Sequence, residues 1–152
     1  MMIYIDMDGV IANFSGWMKQ HIPDLDESMW KGTGRPWKVM KENYKDVYLN
    51  LEPLHLLSYA NHMYNNLERV KFLTAIPHSW WDTQEGEQAM INKRLWLERY
   101  IDNFSYEDVI FTAGAKEKIK YVEENAVLYD DRQDTIDAWN EAGGTGIHVK
   151  GR

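Results

Sequence analysis

The chain contains no cysteine, which excludes disulfide bridges, thiolate metal sites and cysteine nucleophiles. That absence suits a reducing, cytoplasmic setting. No apolar run approaches the about 18 residues that a bilayer-spanning helix needs, so no membrane partner is expected. The basic start and apolar stretch of a secretory signal are not expected either, because Asp6 arrives almost immediately. Positive charge is in deficit: 17 Lys and Arg stand against 24 Asp and Glu, a formal charge of −7. Such a balance repels polyanions, and the lysine cluster Lys116, Lys118 and Lys120 is interleaved with Glu117, Glu123 and Glu124. No long nucleic acid is expected as a partner. For a small anionic substrate, a metal ion is the natural way to overcome that field. Internal repeats, low-complexity tracts and flexible linkers are also missing.

What is present is ordinary globular material. The 152 residues are 44% hydrophobic and 27% charged, enough for a single domain over 1–152 with a real core. Short apolar runs recur at Met2-Ile-Tyr-Ile-Asp6, Val70-Lys-Phe-Leu73, Asp108-Val-Ile-Phe111, Ala126-Val-Leu-Tyr129 and Gly146-Ile-His-Val149. Between them lie helical patterns. Residues 87–101 space Met90, Ile91, Leu95, Leu97 and Ile101 as one face, residues 115–124 do so with Ala115, Ile119 and Val122, and residues 134–142 offer Ile136 and Trp139. Strands alternating with such helices predict right-handed βαβ units: an α/β, Rossmann-like parallel sheet with flanking helices. Residues 14–52 interrupt the alternation as a small helical insertion after the first strand. Within it, Phe14, Trp17, Met18, His21 and Ile22 mark one amphipathic helix and Pro36 opens another over 37–44; Pro53 is expected to open the helix that runs to about 67.

Two segments carry the chemistry. In Asp6-Met-Asp-Gly-Val10, two carboxylates just past a strand can both face the crevice at the carboxyl end of a parallel sheet. Capping of the helix expected near residue 12 is the competing use of Asp6 or Asp8. Tyr129-Asp-Asp-Arg132 also ends an apolar run, and Asp131 has the same competing use before the helix at 134. Strand ends gather at one edge, so Asp6, Asp8 and Asp130 can converge on one cation. Oxygen donors without His or Cys suit Mg²⁺ better than zinc. Thr74 brings a hydroxyl to the end of the second strand. Lys116 and Lys118 flank the apolar face of Ile119 and Val122, whereas Lys120 points away.

The order Asp-x-Asp-Gly-Val, then Thr, then Lys, then Asp-Asp resembles the haloacid dehalogenase superfamily of phosphotransferases, whose four motifs occur in this sequence order. The resemblance covers most of the chain. It is closer still to the 5'(3')-deoxyribonucleotidase family, through Asp6-Met-Asp-Gly-Val-Ile-Ala-Asn-Phe14, Leu51-Glu-Pro-Leu54, Lys93-Arg-Leu-Trp-Leu-Glu-Arg-Tyr100 and Asp130-Asp-Arg-Gln-Asp134. One departure is that Thr74 is followed by Ala-Ile-Pro instead of a tighter serine–proline turn.

The resemblance implies a Mg²⁺-dependent phosphomonoesterase in which Asp6 is the nucleophile and forms an aspartyl-phosphate. Asp8 would act as general acid and then general base, its carbonyl joining the Asp6 and Asp130 carboxylates around the metal. Thr74, the backbone at Ala75, and Lys118 or Lys116 would hold the phosphoryl group; Lys118 fits the third motif better because Lys120-Tyr-Val122 follows it. Asp131 would orient that lysine or a water in the cation's shell. The insertion would cap the site, and among its aromatic residues Trp30 and Trp37 are candidates for stacking on a nucleobase. The implied substrate is a small phosphorylated metabolite, foremost a (deoxy)ribonucleoside 5'-monophosphate. A phosphosugar phosphatase and a catalytically silent nucleotide-binding module are the alternatives.

Overall fold

The computed structural model describes residues 1–32 and 34–150; Thr33, within the expected 14–52 insertion, and Gly151 and Arg152 lie outside the described residues. Five short strands, β1 (Ile3–Ile5), β2 (Val70–Ile76), β3 (Val109–Ala113), β4 (Val127–Asp130) and β5 (Thr145–His148), pair in parallel in the order β3-β2-β1-β4-β5. The expected α/β class is therefore what the chain adopts. Each run alternates faces, as period-2 side chains must. Ile5, Val70 and Phe72 enter one core, whereas Tyr4, Leu73 and Leu128 enter the other.

Helices cover both faces, which is why the central strands read as near-continuous apolar runs. On the second face α6 (Gln133–Glu141) supplies Ile136 and Trp139. The first face is covered by α4 (Leu56–Asn66), α5 (Gln84–Tyr100) and three helices between β1 and α4: α1 (Phe14–His21), α2 (Ser28–Gly32) and α3 (Arg35–Glu42). Neither α2 nor the full length of β2 was expected; the strand runs on to Ile76, so Thr74 lies inside it.

Three local expectations are corrected. Pro53 opens no helix: it pairs with Ala12 in an isolated antiparallel bridge, and α4 begins at Leu56. On α5 the buried residues are Gly86, Ala89, Asn92, Lys93, Trp96 and Leu97, while Ile91 and Leu95 are exposed. The inward face is thus rotated from the one read off the large apolar residues. Residues Ala115–Tyr121 form a 3₁₀ helix instead of an α-helix, so three residues make a turn; Lys118 turns inward and Ile119 outward.

Candidate active site

Parallel strand ends meet where the strand order reverses, between β1 and β4. The register pairs Ile5 with Tyr129, so the next residues along, Asp6 and Asp130, face one another across adjacent strands. A backbone bond from Asp6 N to Tyr129 O, 3.0 Å, carries the pairing into the site. Both carboxylates are buried. Asp6 Oδ1 accepts from Met7 N at 2.8 Å, and Asp130 Oδ1 accepts from Arg132 N at 3.0 Å.

The ammonium of Lys118 bridges them, 3.0 Å from Asp6 Oδ1 and 2.7 Å from Asp130 Oδ2, and is itself buried. Burial works against the Lys118 charge, yet the two carboxylates and their hydrogen bonds outweigh it and raise its pKa above the ordinary lysine value. Lys116 is exposed and lines the mouth of the cavity; Lys120 pairs with Glu117 at the surface. Of the lysines weighed from sequence, Lys118 is the one brought between the aspartates.

After β1 the chain turns sharply. Backbone bonds run from Val10, Ile11 and Ala12 N to Met7 O, and Gly9 takes φ +80°, a left-handed conformation that glycine adopts without strain. Space is the second reason for Gly9, since a β-carbon there would stand 2.0 Å from Asp131 Oδ2. Neither Asp8 nor Asp131 caps a helix: Asn13 caps α1 through Gly16 N, and Arg132 precedes α6 without a side-chain cap. Asp8 instead lines the cavity. Its Oδ2 lies 2.9 Å from the ammonium of Lys93, while its Oδ1 is buried with no hydrogen-bond partner among the described residues.

One oxygen from each of Asp6, Asp130 and Asp131 lies within 4.8 Å of the others. Burial and the neighbouring carboxylates push Asp6 well above the usual carboxyl range, and the same causes take Asp131 up to about 7. Crowded, desolvated carboxylates of this kind are relieved by a cation. An all-oxygen donor set without His or Cys fits Mg²⁺.

Thr74 is fully buried, and its Oγ1 accepts from Lys93 Nζ at 2.6 Å; Ala75 lines the cavity beside it. The cavity of about 1000 Å³ opens above these groups. Trp30 and Trp37, 4.9 Å apart edge to face, line it. Phe14 and Tyr48 belong to the same wall, with rings stacked at 5.7 Å. Phe14 shares the α1 stripe with Trp17, Met18 and Ile22; it is half-buried, packing against that core while also lining the cavity. Lys116, Arg132 and Lys150 also line the cavity.

The residue that sequence reasoning missed is Lys93. It is fully buried on α5, in contact with Asp8, Thr74 and Ala75, with the Tyr48 ring 4.4 Å from its ammonium. One signal was available: Lys93 precedes Trp96 and Leu97 by three and four residues, the spacing of one helical face.

No family model matches the chain, and no curated protein does either. Solved structures do. The chain is similar to the D,D-heptose 1,7-bisphosphate phosphatase of Burkholderia thailandensis, 14% identical with a TM-score of 0.50, over 94% of this chain and 74% of that one. It is also similar to a Burkholderia xenovorans protein described as a haloacid dehalogenase-like hydrolase, 12% identical with a TM-score of 0.57, over 97% of this chain and 82% of that one. At such identity the likeness establishes the fold, a haloacid dehalogenase-like α/β architecture, and the chemistry rests on the side chains.

Proposed function

We propose that the chain is a Mg²⁺-dependent phosphomonoesterase acting on small phosphorylated metabolites, foremost nucleoside 5'-monophosphates. The observation that carries this reading is the buried Asp6–Lys118–Asp130 bridge, with Asp8 lining the same cavity as Asp6 and Lys118.

Asp6 is the nucleophile. Its Oδ1 is engaged by Met7 N and Lys118, which leaves Oδ2 to attack phosphorus. The ester P–O bond breaks as the Asp6 O–P bond forms, and Asp8 gives the departing alkoxide its proton. Asp8 then takes a proton from water as that water attacks phosphorus, the aspartyl bond breaks and inorganic phosphate leaves. Lys118 balances the charge that develops on the phosphoryl oxygens. The Ala75 backbone, which lines the cavity, holds the phosphoryl group; the fully buried Thr74 hydroxyl does not line the cavity and accepts from Lys93 instead. Asp6, Asp130 and the Asp8 carbonyl would hold Mg²⁺, with Asp131 orienting the surrounding groups; when bound, the cation would neutralise the phosphate charge against this acidic chain.

Residues 14–52 act as the cap, and the wall of Phe14, Trp30, Trp37 and Tyr48 supports a planar base. Stacking on such rings contributes about 1–3 kcal/mol per base. A cytoplasmic location agrees with the cysteine-free sequence and the metabolite substrate. No helix among the described residues is long and apolar enough to cross a membrane.

The test is phosphate release from 5'- and 3'-nucleotides and sugar phosphates, with Mg²⁺ and with EDTA. Metal-dependent release, fastest from nucleotides, is expected. A preference for sugar phosphates would replace the base-stacking part of the reading, and binding without turnover in Mg²⁺ would replace the enzyme with a nucleotide-binding module.

A further inference from the structure

Lys93 sits where a helix normally places an apolar side chain, in line with Ala89, Trp96 and Leu97 on the inward face of α5. A buried ammonium is tolerated only when its charge and its donors are matched. Here the matching is complete. A lysine has three N–H donors, and Lys93 Nζ has three acceptors: Asp8 Oδ2 at 2.9 Å, Thr74 Oγ1 at 2.6 Å and Ala75 O at 3.1 Å. The face of Tyr48 closes the remaining side.

Two further features hold this arrangement rigid. Tyr48 has a φ of 74°, a left-handed backbone that a bulky residue adopts only when its surroundings enforce it. The neighbour of Lys93 on the same helix, Asn92, donates to Lys45 O at 3.1 Å and Val47 O at 3.2 Å, fixing the segment that presents the Tyr48 ring. The ends of β1 and β2, the segment after α3, and α5 therefore converge on one ammonium.

We propose that Lys93 is a positioning residue for proton transfer: it holds the Asp8 carboxylate by Oδ2 and so fixes the orientation in which Asp8 meets the reacting oxygen. The inference rests on the phosphomonoesterase reading and on Asp8 as its acid and base. Lys93 differs from Lys118 in kind. With its donors consumed by the protein it has none to offer a phosphate, so it acts through Asp8, which without it is free to rotate away.

Departure of an alkoxide needs the proton from Asp8, whereas p-nitrophenolate leaves without one. Only the first bond cleavage is spared, since hydrolysis of the aspartyl-phosphate still needs Asp8 to deprotonate water. With the Mg²⁺-loaded protein, Lys93→Met is expected to keep the rapid burst of p-nitrophenolate from p-nitrophenyl phosphate, about one equivalent per chain. Its turnover of alkyl phosphates such as nucleotides is expected to fall by about 100-fold, the low end of general acid–base catalysis. In an Asp8→Asn background the same substitution is expected to cost less than about 2-fold further, because residues that act as a unit are not additive.

Should Lys93→Met fail to fold, Lys93→Arg retains the charge, yet its planar fork cannot serve the same three acceptors, so the same selectivity is expected in weaker form. A burst lost in parallel with alkyl turnover, unchanged alkyl turnover, or an additive loss with Asp8→Asn overturns the inference and leaves the phosphatase reading standing. Failure of the wild-type protein to cleave any phosphomonoester in Mg²⁺ overturns both.

Discussion

The ammonium of Lys118 lies 3.0 Å from Asp6 Oδ1, deep at the edge of the sheet, although only one residue separates it in sequence from the exposed Lys116. The 3₁₀ geometry of Ala115–Tyr121 makes that difference, since it points one lysine between two buried aspartates and leaves the other at the cavity mouth. Lys118→Ala is expected to lower kcat/KM by at least about 100-fold, the scale for losing one preorganised electrostatic contact to a transition state. Lys116→Ala is expected to change it by no more than a few-fold, about the effect of one screened surface charge. Steady-state kinetics on a nucleoside monophosphate decide the ranking, and the reverse order would show that the wrong lysine is in the site.

Gly9 makes room for Asp131, whose Oδ2 occupies the place of a β-carbon at 2.0 Å. Gly9→Ala adds that clash to a backbone at φ +80°. A loss of about 1–3 kcal/mol in unfolding free energy is expected, together with weaker Mg²⁺ binding as Asp131 shifts. Urea denaturation and a Mg²⁺ titration followed by Tm measure the two effects separately.

The pH dependence of stability has a definite sign. Burial and the neighbouring carboxylates push Asp131 up to about 7 in the folded chain from the ordinary 3.8, and they raise Asp6 as well. The folded state thus binds more protons than the unfolded state across that window, and stability falls as pH rises through it. A divalent cation replaces those protons. The Tm gain on adding Mg²⁺ is expected to be larger at about pH 8 than at about pH 5.5, and a gain independent of pH would remove these carboxylates from the metal site.

Trp30→Leu and Trp37→Leu, singly, are expected to raise KM for nucleotides by about 5- to 100-fold through lost stacking, with kcat changed far less. Release from a small sugar phosphate serves as the control, since it has no base to stack. Equal effects on both substrates would make these rings structural.

Much of the fold was legible in the sequence because strands buried on both faces announce themselves as apolar runs, and the runs at Ile3–Ile5 and Val127–Asp130 both end at aspartates. The motif order then brought Asp6, Asp130 and Lys118 to notice before any geometry was known. What stayed hidden followed from polar residues in core positions. Asn92 and Lys93 occupy the inward face of α5 and displace Ile91 and Leu95 to the surface, so hydrophobic periodicity pointed to the wrong side of the helix. Phe14 and Tyr48 were hidden for a related reason: an aromatic that lines a cavity and one that fills a core look alike in a sequence.

The central claim is that phosphorus passes through Asp6. Rapid quenching of the Mg²⁺-loaded protein with ³²P-labelled substrate tests it most directly. The account predicts label bound to the protein within the first turnover, released by hydroxylamine as an acyl phosphate is, mapping to the peptide that contains Asp6, and absent from Asp6→Asn. Inorganic phosphate released at full rate with no label on the protein at any time would contradict it.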